Sequence, residues 1–259
     1  MTAGPFAEFL DDRVVLLDGG LATELERRGN DLSDPLWSAR LLVEAPDEIV
    51  EAHLAYFRAG ARVATTASYQ ASFEGFARRG IGRAEAARLL ELSVELATEA
   101  RRRFEREAAA SGRPVGPRFV VASIGPYGAA QADGSEYRGD DGLSVAELRA
   151  WHAPRLAILA AAGPDALAFE TLPTVGEGRA LVDLLGVTDG PPAWLSFSCA
   201  DGSRTRRGEP VEDAFRLAEA TDRIVAVGLN CTAPQHVVEL IGRARSVTSK
   251  PIVVYPNSG

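Results

Sequence analysis

The sequence is short of the residues from which most redox and metal sites are built. Its 259 residues include two cysteines, three histidines and a single methionine. Because two cysteines do not make a disulfide framework, a reducing compartment, the cytoplasm, is the expected location. His53, His152 and His236 all fall in segments with helical patterning, where a histidine is more often structural or solvated than a metal ligand. The spacing of these residues alone therefore establishes no metal site.

Positive charge and long apolar runs are also scarce. The chain has 28 basic and 36 acidic side chains and a formal net charge of −8. No run of basic residues alternates with aromatics, which argues against a nucleic-acid partner. Residues 1–13 lack the apolar segment of a signal peptide. The alanine-rich stretch 156–163 is too short to cross a bilayer, so no membrane partner is expected.

The common motifs of cofactor-binding and catalytic sites are missing as well. The first apolar run ends in Asp18-Gly19-Gly20-Leu21, which is not the G-x-G-x-x-G of a dinucleotide-binding fold. There is no Walker loop, no H-E-x-x-H, no G-x-S-x-G and no glycine-rich phosphate loop after the last apolar run. The best-known nucleotide, metalloprotease and serine-hydrolase sites are therefore excluded.

What the sequence does contain is a regular alternation of short apolar runs and amphipathic segments. The runs are typical of strands buried on both faces, and they span residues 14–20, 61–67, 119–125, 166–172, 193–199, 224–230 and 251–257. Helices are predicted over residues 47–59, 83–110, 144–162, 175–185, 211–220 and 234–247. Ser144 and Glu147 have the spacing of a capping box at the start of the third helix.

Strict alternation of strand and helix predicts a single α/β domain, residues 1–259, built on a parallel sheet. Seven recognisable strands favour a (β/α)8 TIM-type barrel with its eighth unit missing over a doubly wound sheet. We therefore expect a barrel that is incomplete at its C-terminal side. Two long loops, 68–82 and 126–143, are rich in Gly, Tyr, Ser and Asp and are candidates for covering its mouth.

Two carboxylates end predicted strands, at the face where barrel enzymes carry their active sites. Asp18 closes the first strand and Glu170 the fourth. Together they could hold a substrate ammonium, while Gly19 and Gly20 would let backbone N–H groups approach a substrate carboxylate. A tight turn with a solvated Asp18, and an arginine partner for Glu170, are the alternatives. A glycosidase-like acid/base pair is a further one, which nothing else in the sequence supports.

The two cysteines end the fifth and sixth predicted strands, which are neighbours in a barrel. Geometry alone would let Cys199 and Cys231 reach one metal ion. Each taken singly is better explained as a small buried apolar side chain, and no C-x-x-C motif is present. Cys231 is the more informative of the two, because a thiol at a strand end of a barrel can be a soft ligand for zinc.

Taken together, the segments at the strand ends resemble the zinc-dependent homocysteine S-methyltransferases, especially those that use S-methylmethionine as the methyl donor. The resemblance runs from about Val14 to the last residue, and it rests on the order, spacing and placement of the segments. They are LDGGLATEL (17–25), TTASYQAS (65–72), SIGPYGA (123–129), DGSEYRGD (133–140), FET (169–171), SFSC (196–199), GLNCT (228–232) and YPNSG (255–259).

The resemblance implies how an amino-acid substrate would bind. Asp18 and Glu170 match the acidic residues that grip the amino group of homocysteine. The backbone around Gly19 and Gly20 would meet the substrate carboxylate, and Asn230 is assigned to the same substrate site.

The resemblance also implies a zinc cofactor. Cys231 matches the first zinc cysteine and is therefore the expected catalytic and metal-binding residue, whereas Cys199 matches a position that the family does not use as a ligand. The other two ligands belong to a Gly-Gly-Cys-Cys motif that this sequence does not contain. One zinc ligand is thus present, two expected ones are absent, and we expect this chain by itself to hold zinc loosely and to be nearly inactive.

The implied reaction moves a methyl group from a sulfonium donor, S-methylmethionine or S-adenosylmethionine, to the zinc-bound thiolate of homocysteine, giving methionine. Aromatic faces such as Tyr69 or Tyr127 would favour the cationic donor. One alternative is a non-catalytic relative that binds homocysteine-like amino acids without zinc. Another is an unrelated barrel enzyme that uses the carboxylate pair.

Overall fold

The protein is described by a computed structural model, which covers residues 5–10, 13–32, 37–112, 114–139 and 141–257. Its centre is a curled parallel sheet of six strands that lie side by side in sequence order. Every neighbouring pair is parallel and is joined through helical segments, which confirms the α/β class. The strands are β1 (Val63–Thr65), β2 (Phe119–Ile124), β3 (Ala166–Leu172), β4 (Ala193–Phe197), β5 (Ile224–Asn230) and β6 (Ile252–Tyr255).

The first predicted strand, residues 14–20, is not a strand. Only Leu17 pairs there, in an isolated parallel bridge to Val63, supported by a 3.1 Å bond from the Asp18 N–H to the Val63 carbonyl. Val14 is fully exposed and Leu16 is 59% exposed, so this apolar run lacks the burial that would sustain a longer pairing. The prediction of seven strands is therefore wrong by one, and the described residues form a six-stranded sheet rather than a countable eight-unit barrel.

Eleven α-helices lie within the described ranges, together with short 3-10 turns. The helix over residues 83–110 and the capping box of Ser144 and Glu147 are found as predicted. Two predicted helices are partly 3-10, at Leu217–Ala220 and Pro234–His236. The helices are α1 (Pro5–Phe9), α2 (Leu21–Arg27), α3 (Leu41–Glu44), α4 (Pro46–Ala59), α5 (Phe73–Ala77), α6 (Arg83–Ala110), α7 (Tyr127–Gln131), α8 (Val145–Ala161), α9 (Val175–Val187), α10 (Val211–Arg216) and α11 (Val237–Arg245). None of those described has the length and apolar character needed to span a membrane.

The two faces of the sheet are buried in different ways. The outer face packs against the helices in the larger apolar cluster. On the inner face a smaller cluster fills the space at the N-terminal ends of the strands. There the ring of Phe6, from α1, lies 5.1 Å from the ring of Phe119 and 6.2 Å from that of Trp194. Helix α1 thus closes the end of the sheet opposite the expected active site.

Polar residues occupy the inner face at the C-terminal ends of the strands. Successive side chains point to opposite faces of a strand, so a residue two positions after an inner apolar residue also points inward. On β2, for example, Val121 belongs to the inner cluster and Ser123 follows it on the same face. The same phase gives this face a polar end made of Thr65, Ser123, Glu170, Ser196, Asn230 and Tyr255.

Candidate active site

A cavity of about 750 Å³ opens at the C-terminal ends of the strands. Its walls are the polar ends of the inner face and the loops that follow them. All six residues assigned to the site from the sequence line this one cavity: Asp18, Gly19, Gly20, Glu170, Asn230 and Cys231. Parallel strands that follow each other in sequence order bring their C-terminal ends to one edge, which explains why residues more than 200 positions apart meet here.

Asp18 is held at the cavity wall by the end of β1. Its Oδ2 accepts a hydrogen bond from the Thr65 N–H at 2.6 Å, and its Oδ1 accepts one from the Thr65 hydroxyl at 2.9 Å. Burial raises the pKa of Asp18 to about 7 against the lowering effect of these bonds, and the charge of Glu170 raises it further. A carboxyl group of this kind gains most from a cationic partner.

Glu170 is the second carboxylate of the cavity and is only 7% exposed. Its Oε2 accepts a hydrogen bond from the Tyr255 hydroxyl at 2.8 Å, and its Oε1 accepts one from the Ser123 hydroxyl. Burial raises the pKa of Glu170, while these two bonds and the charge of Arg155 lower it. Two desolvated carboxyl groups in one cavity favour a ligand with a positive charge, such as an ammonium group.

The backbone of Gly19 and Gly20 forms the wall next to Asp18. A Cβ at Gly19 would lie 2.7 Å from a ring carbon of Tyr56, so no side chain fits there without moving that ring. The Tyr56 hydroxyl donates a hydrogen bond to the Gly20 carbonyl at 2.9 Å and fixes the turn. Backbone groups at this turn are therefore open to a ligand on the cavity side.

Both the oxygen and the nitrogen of the Asn230 side-chain amide form hydrogen bonds with other protein groups. Its Oδ1 accepts hydrogen bonds from the Thr171 N–H at 2.8 Å and the Ser196 hydroxyl at 2.7 Å. Its Nδ2 donates to the Thr171 hydroxyl at 2.7 Å and to the Cys231 sulfur at 3.3 Å. Thr171 and Cys231 both have left-handed backbone, with φ of 60° and 46°, a conformation that non-glycine residues rarely adopt. Asn230 therefore holds the two strained positions beside the thiol.

Cys231 supplies the thiol of the cavity. Besides Asn230, the Thr171 hydroxyl donates to its sulfur at 3.8 Å, and the Tyr137 side chain also hydrogen-bonds to it. Burial raises the pKa of Cys231, and these hydrogen bonds oppose that shift. Donors gathered around one sulfur stabilise its thiolate form, which is the form that binds metals and acts as a nucleophile.

Cys199 lies outside the lining of the cavity. It is 1% exposed, its N–H donates to the Thr232 hydroxyl at 2.9 Å, and its sulfur lies 3.8 Å from the Phe197 carbonyl oxygen. Burial raises the pKa of Cys199 to about 12. A protonated thiol in the core behaves as a small apolar side chain, so this arrangement does not favour a metal site shared by the two cysteines.

A complete metal site is not formed by the residues that the structure describes. Cys231 has the chemistry of a soft zinc ligand, but zinc sites use three or four protein ligands. Nowhere in the described ranges do three His, Cys, Asp or Glu side chains gather so that they could hold a metal ion. These residues therefore fit one ligand of a metal site and not the full set.

Two connecting segments, which include residues of the long loops 68–82 and 126–143, contribute to the lining of the cavity. The segment after β1 contributes Tyr69 and Gln70, and the segment between β2 and α8 contributes Glu136 and Tyr137. We call these four residues the cover. With Tyr255, the cover brings to three the aromatic residues that line the cavity, and aromatic ring faces attract cations.

The cover is fastened to the sheet by a buried arginine of α8. Arg155 is 2% exposed, and its guanidinium donates to the carbonyl oxygens of Ser68 at 3.2 Å, Tyr69 at 2.8 Å and Gly125 at 3.1 Å. These three carbonyls belong to the two segments that carry the cover. Burial lowers the pKa of Arg155 to about 10, so the guanidinium stays charged at neutral pH.

A second buried group holds the start of α7. Glu177 Oε1 accepts the Tyr127 N–H at 2.6 Å and pairs with His152 Nε2 at 2.8 Å. The Tyr127 ring packs edge-on against Trp151 with 5.1 Å between the ring centroids, and it does not line the cavity. Of the two tyrosines considered for the cationic donor, the cavity therefore contains Tyr69.

Sequence reasoning assigned no role to the partners of the two carboxylates. Thr65, Ser123 and Tyr255 do carry a signal, because each is a polar residue in phase with the inner face at the end of a strand. Arg155 and Glu136 carry no comparable signal, since their positions depend on how helix α8 and a long loop pack.

Comparison with known proteins identifies the family. A sequence profile of the homocysteine S-methyltransferase family matches residues 15–259. Homocysteine S-methyltransferase YbgG of Bacillus subtilis (strain 168) is 48% identical to this chain, over 98% of this chain and 81% of its own length. Homocysteine S-methyltransferase of Escherichia coli (strain K12) is 46% identical, over 98% of this chain and 81% of its own length.

Solved structures give the same result. The metallated form of the homocysteine methyltransferase MmuM from Escherichia coli superposes with a TM-score of 0.92 at 46% sequence identity, covering 99% of this chain and 88% of that one. Its apo form gives a TM-score of 0.82 over 99% of this chain. On sequence and fold alike, this chain belongs to the homocysteine S-methyltransferase family.

Proposed function

We propose that this protein transfers a methyl group from a sulfonium donor, S-methylmethionine or S-adenosylmethionine, to the sulfur of homocysteine, giving methionine. The observation that carries the proposal is that one cavity is lined by two desolvated carboxylates, Asp18 and Glu170, and by the thiol of Cys231, whose backbone is left-handed. Family membership supplies the reaction class, and the cavity supplies groups that suit both ends of the acceptor.

The amino-acid end of homocysteine would bind beside Asp18. Its ammonium group would lie between Asp18 and Glu170, where both carboxyl groups gain from a cation, and its carboxylate would meet the backbone at Gly19 and Gly20. Thr65 and Tyr255 would keep the carboxylates in place, since each holds one of them by a hydrogen bond of 2.6–2.9 Å. This fixes the substrate before the reaction and lowers the entropic cost of alignment.

The methyl transfer itself needs little acid or base catalysis. The homocysteine thiol first loses its proton to solvent, and its sulfur electron pair then attacks the methyl carbon of the sulfonium. The new carbon–sulfur bond forms as the old one breaks, and the bonding pair returns to the donor sulfur, which becomes a neutral thioether. The cavity contributes by aligning the two sulfur atoms with the methyl group and by excluding water.

A metal has a place in this proposal, and zinc is the ion we propose. Cys231 would be one of its ligands, because it is the soft donor in the cavity, and Asp18 and Glu170 would bind substrate instead. A zinc ion bound there would favour the thiolate form of the substrate sulfur. The described residues do not complete the ligand set, so we assign no step of the reaction to the metal.

The same reasoning extends to the fold and the location. We propose that the curled sheet follows the (β/α)8 TIM-type plan in a single domain, supported by the TM-score of 0.92 to the metallated MmuM structure. We also propose a reducing compartment such as the cytoplasm, because both cysteines are unpaired and the reaction requires free thiols.

The test is methyl transfer with an isotopically labelled donor. Protein with a complete zinc ligand set is supplied with zinc, with homocysteine deuterated on its carbon chain and with S-methylmethionine labelled with ¹³C in its sulfonium methyl groups. It should form methionine that carries both labels, detected by mass spectrometry, because only methyl transfer to homocysteine joins the two labels in one molecule. Binding of homocysteine without turnover or zinc would instead support the alternative, a non-catalytic relative. No binding of homocysteine would contradict the proposal.

A further inference from the structure

Two acceptor atoms in the wall of the cavity have no partner. The Oε2 of Glu136 and the Oε1 of Gln70 are buried, and neither accepts a hydrogen bond from any residue that the structure describes. Both residues line the cavity. Buried polar atoms in folded proteins are nearly always paired, so an unpaired one at a ligand cavity indicates a group that the ligand supplies.

The backbone position of Glu136 is fixed by packing. It lies in a 3-10 turn, Ser135–Tyr137, whose backbone packs directly on α7, because a Cβ at Gly128 would come within 2.5 Å of the Glu136 nitrogen. The Ser135 N–H donates to Asp133 Oδ1 at 2.9 Å and holds the start of this turn. The backbone that carries the Glu136 carboxylate is thus in place at the cavity before any ligand binds.

Glu136 lies on the side of the thiol. Its charge acts on the hydroxyl groups of Tyr69 and Tyr137, and both of these tyrosines also interact with Cys231. Asp18 and Glu170, by contrast, have their oxygens bound by residues at the ends of β1, β2 and β6. The cavity therefore has a second acidic position, beside the thiol, that the binding of homocysteine does not use.

Given the function proposed above, we propose that Glu136 and Gln70 bind the α-ammonium group of the methyl donor. An ammonium group carries three N–H donors and a positive charge, which match an unpaired carboxylate oxygen and an unpaired amide oxygen. S-methylmethionine and S-adenosylmethionine both carry this group, whereas a quaternary ammonium donor such as betaine has no N–H. The donor class selected is an amino-acid sulfonium. Burial also raises the pKa of Glu136, as expected for a carboxyl group that lacks its cation.

The proposal is tested by calorimetric binding of two sulfonium compounds to the purified protein. One is S-methylmethionine, and the other is 4-(dimethylsulfonio)butanoate, which is the same molecule without its amino group. We expect S-methylmethionine to bind at least about tenfold more tightly, because only it supplies the N–H donors. Glu136→Gln should weaken S-methylmethionine binding about tenfold and leave the butanoate within about twofold, and Gln70→Leu should do the same to a smaller degree.

The controls separate this proposal from the function on which it rests. Glu91→Gln, which neutralises an exposed carboxylate outside the cavity, should change neither affinity. Homocysteine should bind both cover variants as it binds the parent protein, which also verifies that they are folded. Equal weakening of both sulfonium compounds by Glu136→Gln, no weakening at all, or no binding of S-methylmethionine would overturn the donor assignment. Failure of the parent protein to bind homocysteine would overturn the proposed function itself.

Discussion

The polar atoms at the strand ends are paired with protein groups, whereas the cover contains buried acceptor atoms that are not. At the strand ends, all four carboxylate oxygens of Asp18 and Glu170 accept hydrogen bonds from protein groups, and the amide of Asn230 is fully paired. In the cover, Gln70 and Glu136 each keep an unpaired buried oxygen among the described residues. Both regions line the same cavity.

The difference suggests that the two regions of the cavity bind different ligands. Strand ends have fixed neighbours in the sheet, so their polar side chains can be paired with one another before a ligand arrives. The cover lies on connecting segments, where the acceptor oxygens of Gln70 and Glu136 have no partner among the described residues and are available to a ligand. We infer that the strand ends are built for homocysteine and that the cover is completed by the methyl donor.

The largest effect is expected where the two regions meet, at Cys231. In protein with a complete zinc ligand set, Cys231→Ser should lower methyl transfer by about a thousandfold or more, because a hydroxyl is a far weaker soft-metal ligand than a thiolate. Cys199→Ser should keep activity within a few-fold, since that thiol lies outside the cavity. Both are measured by formation of labelled methionine. Equal losses in the two variants would point to a shared metal site and contradict the assignment of Cys231.

The next effect concerns the strand ends alone. Asp18→Asn should weaken homocysteine binding about 10- to 100-fold, because a charge-assisted hydrogen bond to the ammonium group is lost. The zinc content of the metal-loaded protein should not change. Zinc is measured by elemental analysis and homocysteine by calorimetry on the same preparation. Loss of zinc from this variant would mean that Asp18 belongs to the metal site.

The attachment of the cover to the sheet can be weakened by a substitution outside the cavity lining. Arg155→Met removes the guanidinium from three loop carbonyls, and we expect the KM for the donor to rise about tenfold with a smaller change for homocysteine. The free energy of unfolding should fall by about 3 kcal/mol, while the exposed Arg102→Met should change it by less than about 0.5 kcal/mol. An unchanged donor KM in a protein destabilised to this extent would show that Arg155 supports folding and not the cover.

The smallest effect is a pH dependence of the strand ends. The folded pKa of Asp18 is about 7, so this carboxyl gains a proton as the pH falls from 8 to 6 and loses its attraction for an ammonium group. Methionine, which has no thiol to titrate, should therefore bind several-fold more weakly at pH 6 than at pH 8. Asp18→Asn should flatten that dependence, although Glu170, whose pKa is also raised, keeps part of it. If methionine binding by Asp18→Asn depended on pH as steeply as in the parent protein, a group other than Asp18 would be responsible for the titration.

The sequence predicts the strands well where both faces are covered. Six of the seven predicted runs contain the strands β1 to β6, with shifted ends in several cases, because a buried strand needs apolar residues on both faces. The run at 14–20 has the same composition, but it lies at an edge with Val14 and Leu16 exposed. Apolar composition does not report which strands find a neighbour on both sides.

The site was predictable to the extent that it depends on strand ends. Asp18, Glu170 and Cys231 could be selected as candidates because each ends an apolar run typical of a parallel strand, whereas the choice of Cys231 over Cys199 came from the family resemblance. The left-handed backbone of Thr171, with φ of 60°, and the hydrogen bonds of Asn230 could not be predicted from the sequence. They arise only when the ends of strands β3 and β5 come together in the folded protein. The cover depends on loop paths, which carry no periodic signal.

The most direct test of the account is a crossed binding experiment on two variants. Calorimetry would give the affinities of Asp18→Asn and Glu136→Gln for homocysteine and for S-methylmethionine, each ligand alone. We expect Asp18→Asn to weaken homocysteine binding by about tenfold or more and Glu136→Gln to weaken S-methylmethionine binding by about tenfold, each with little effect on the other ligand. If both variants weakened both ligands equally, the strand ends and the cover would not be separate binding regions, and the account would be contradicted.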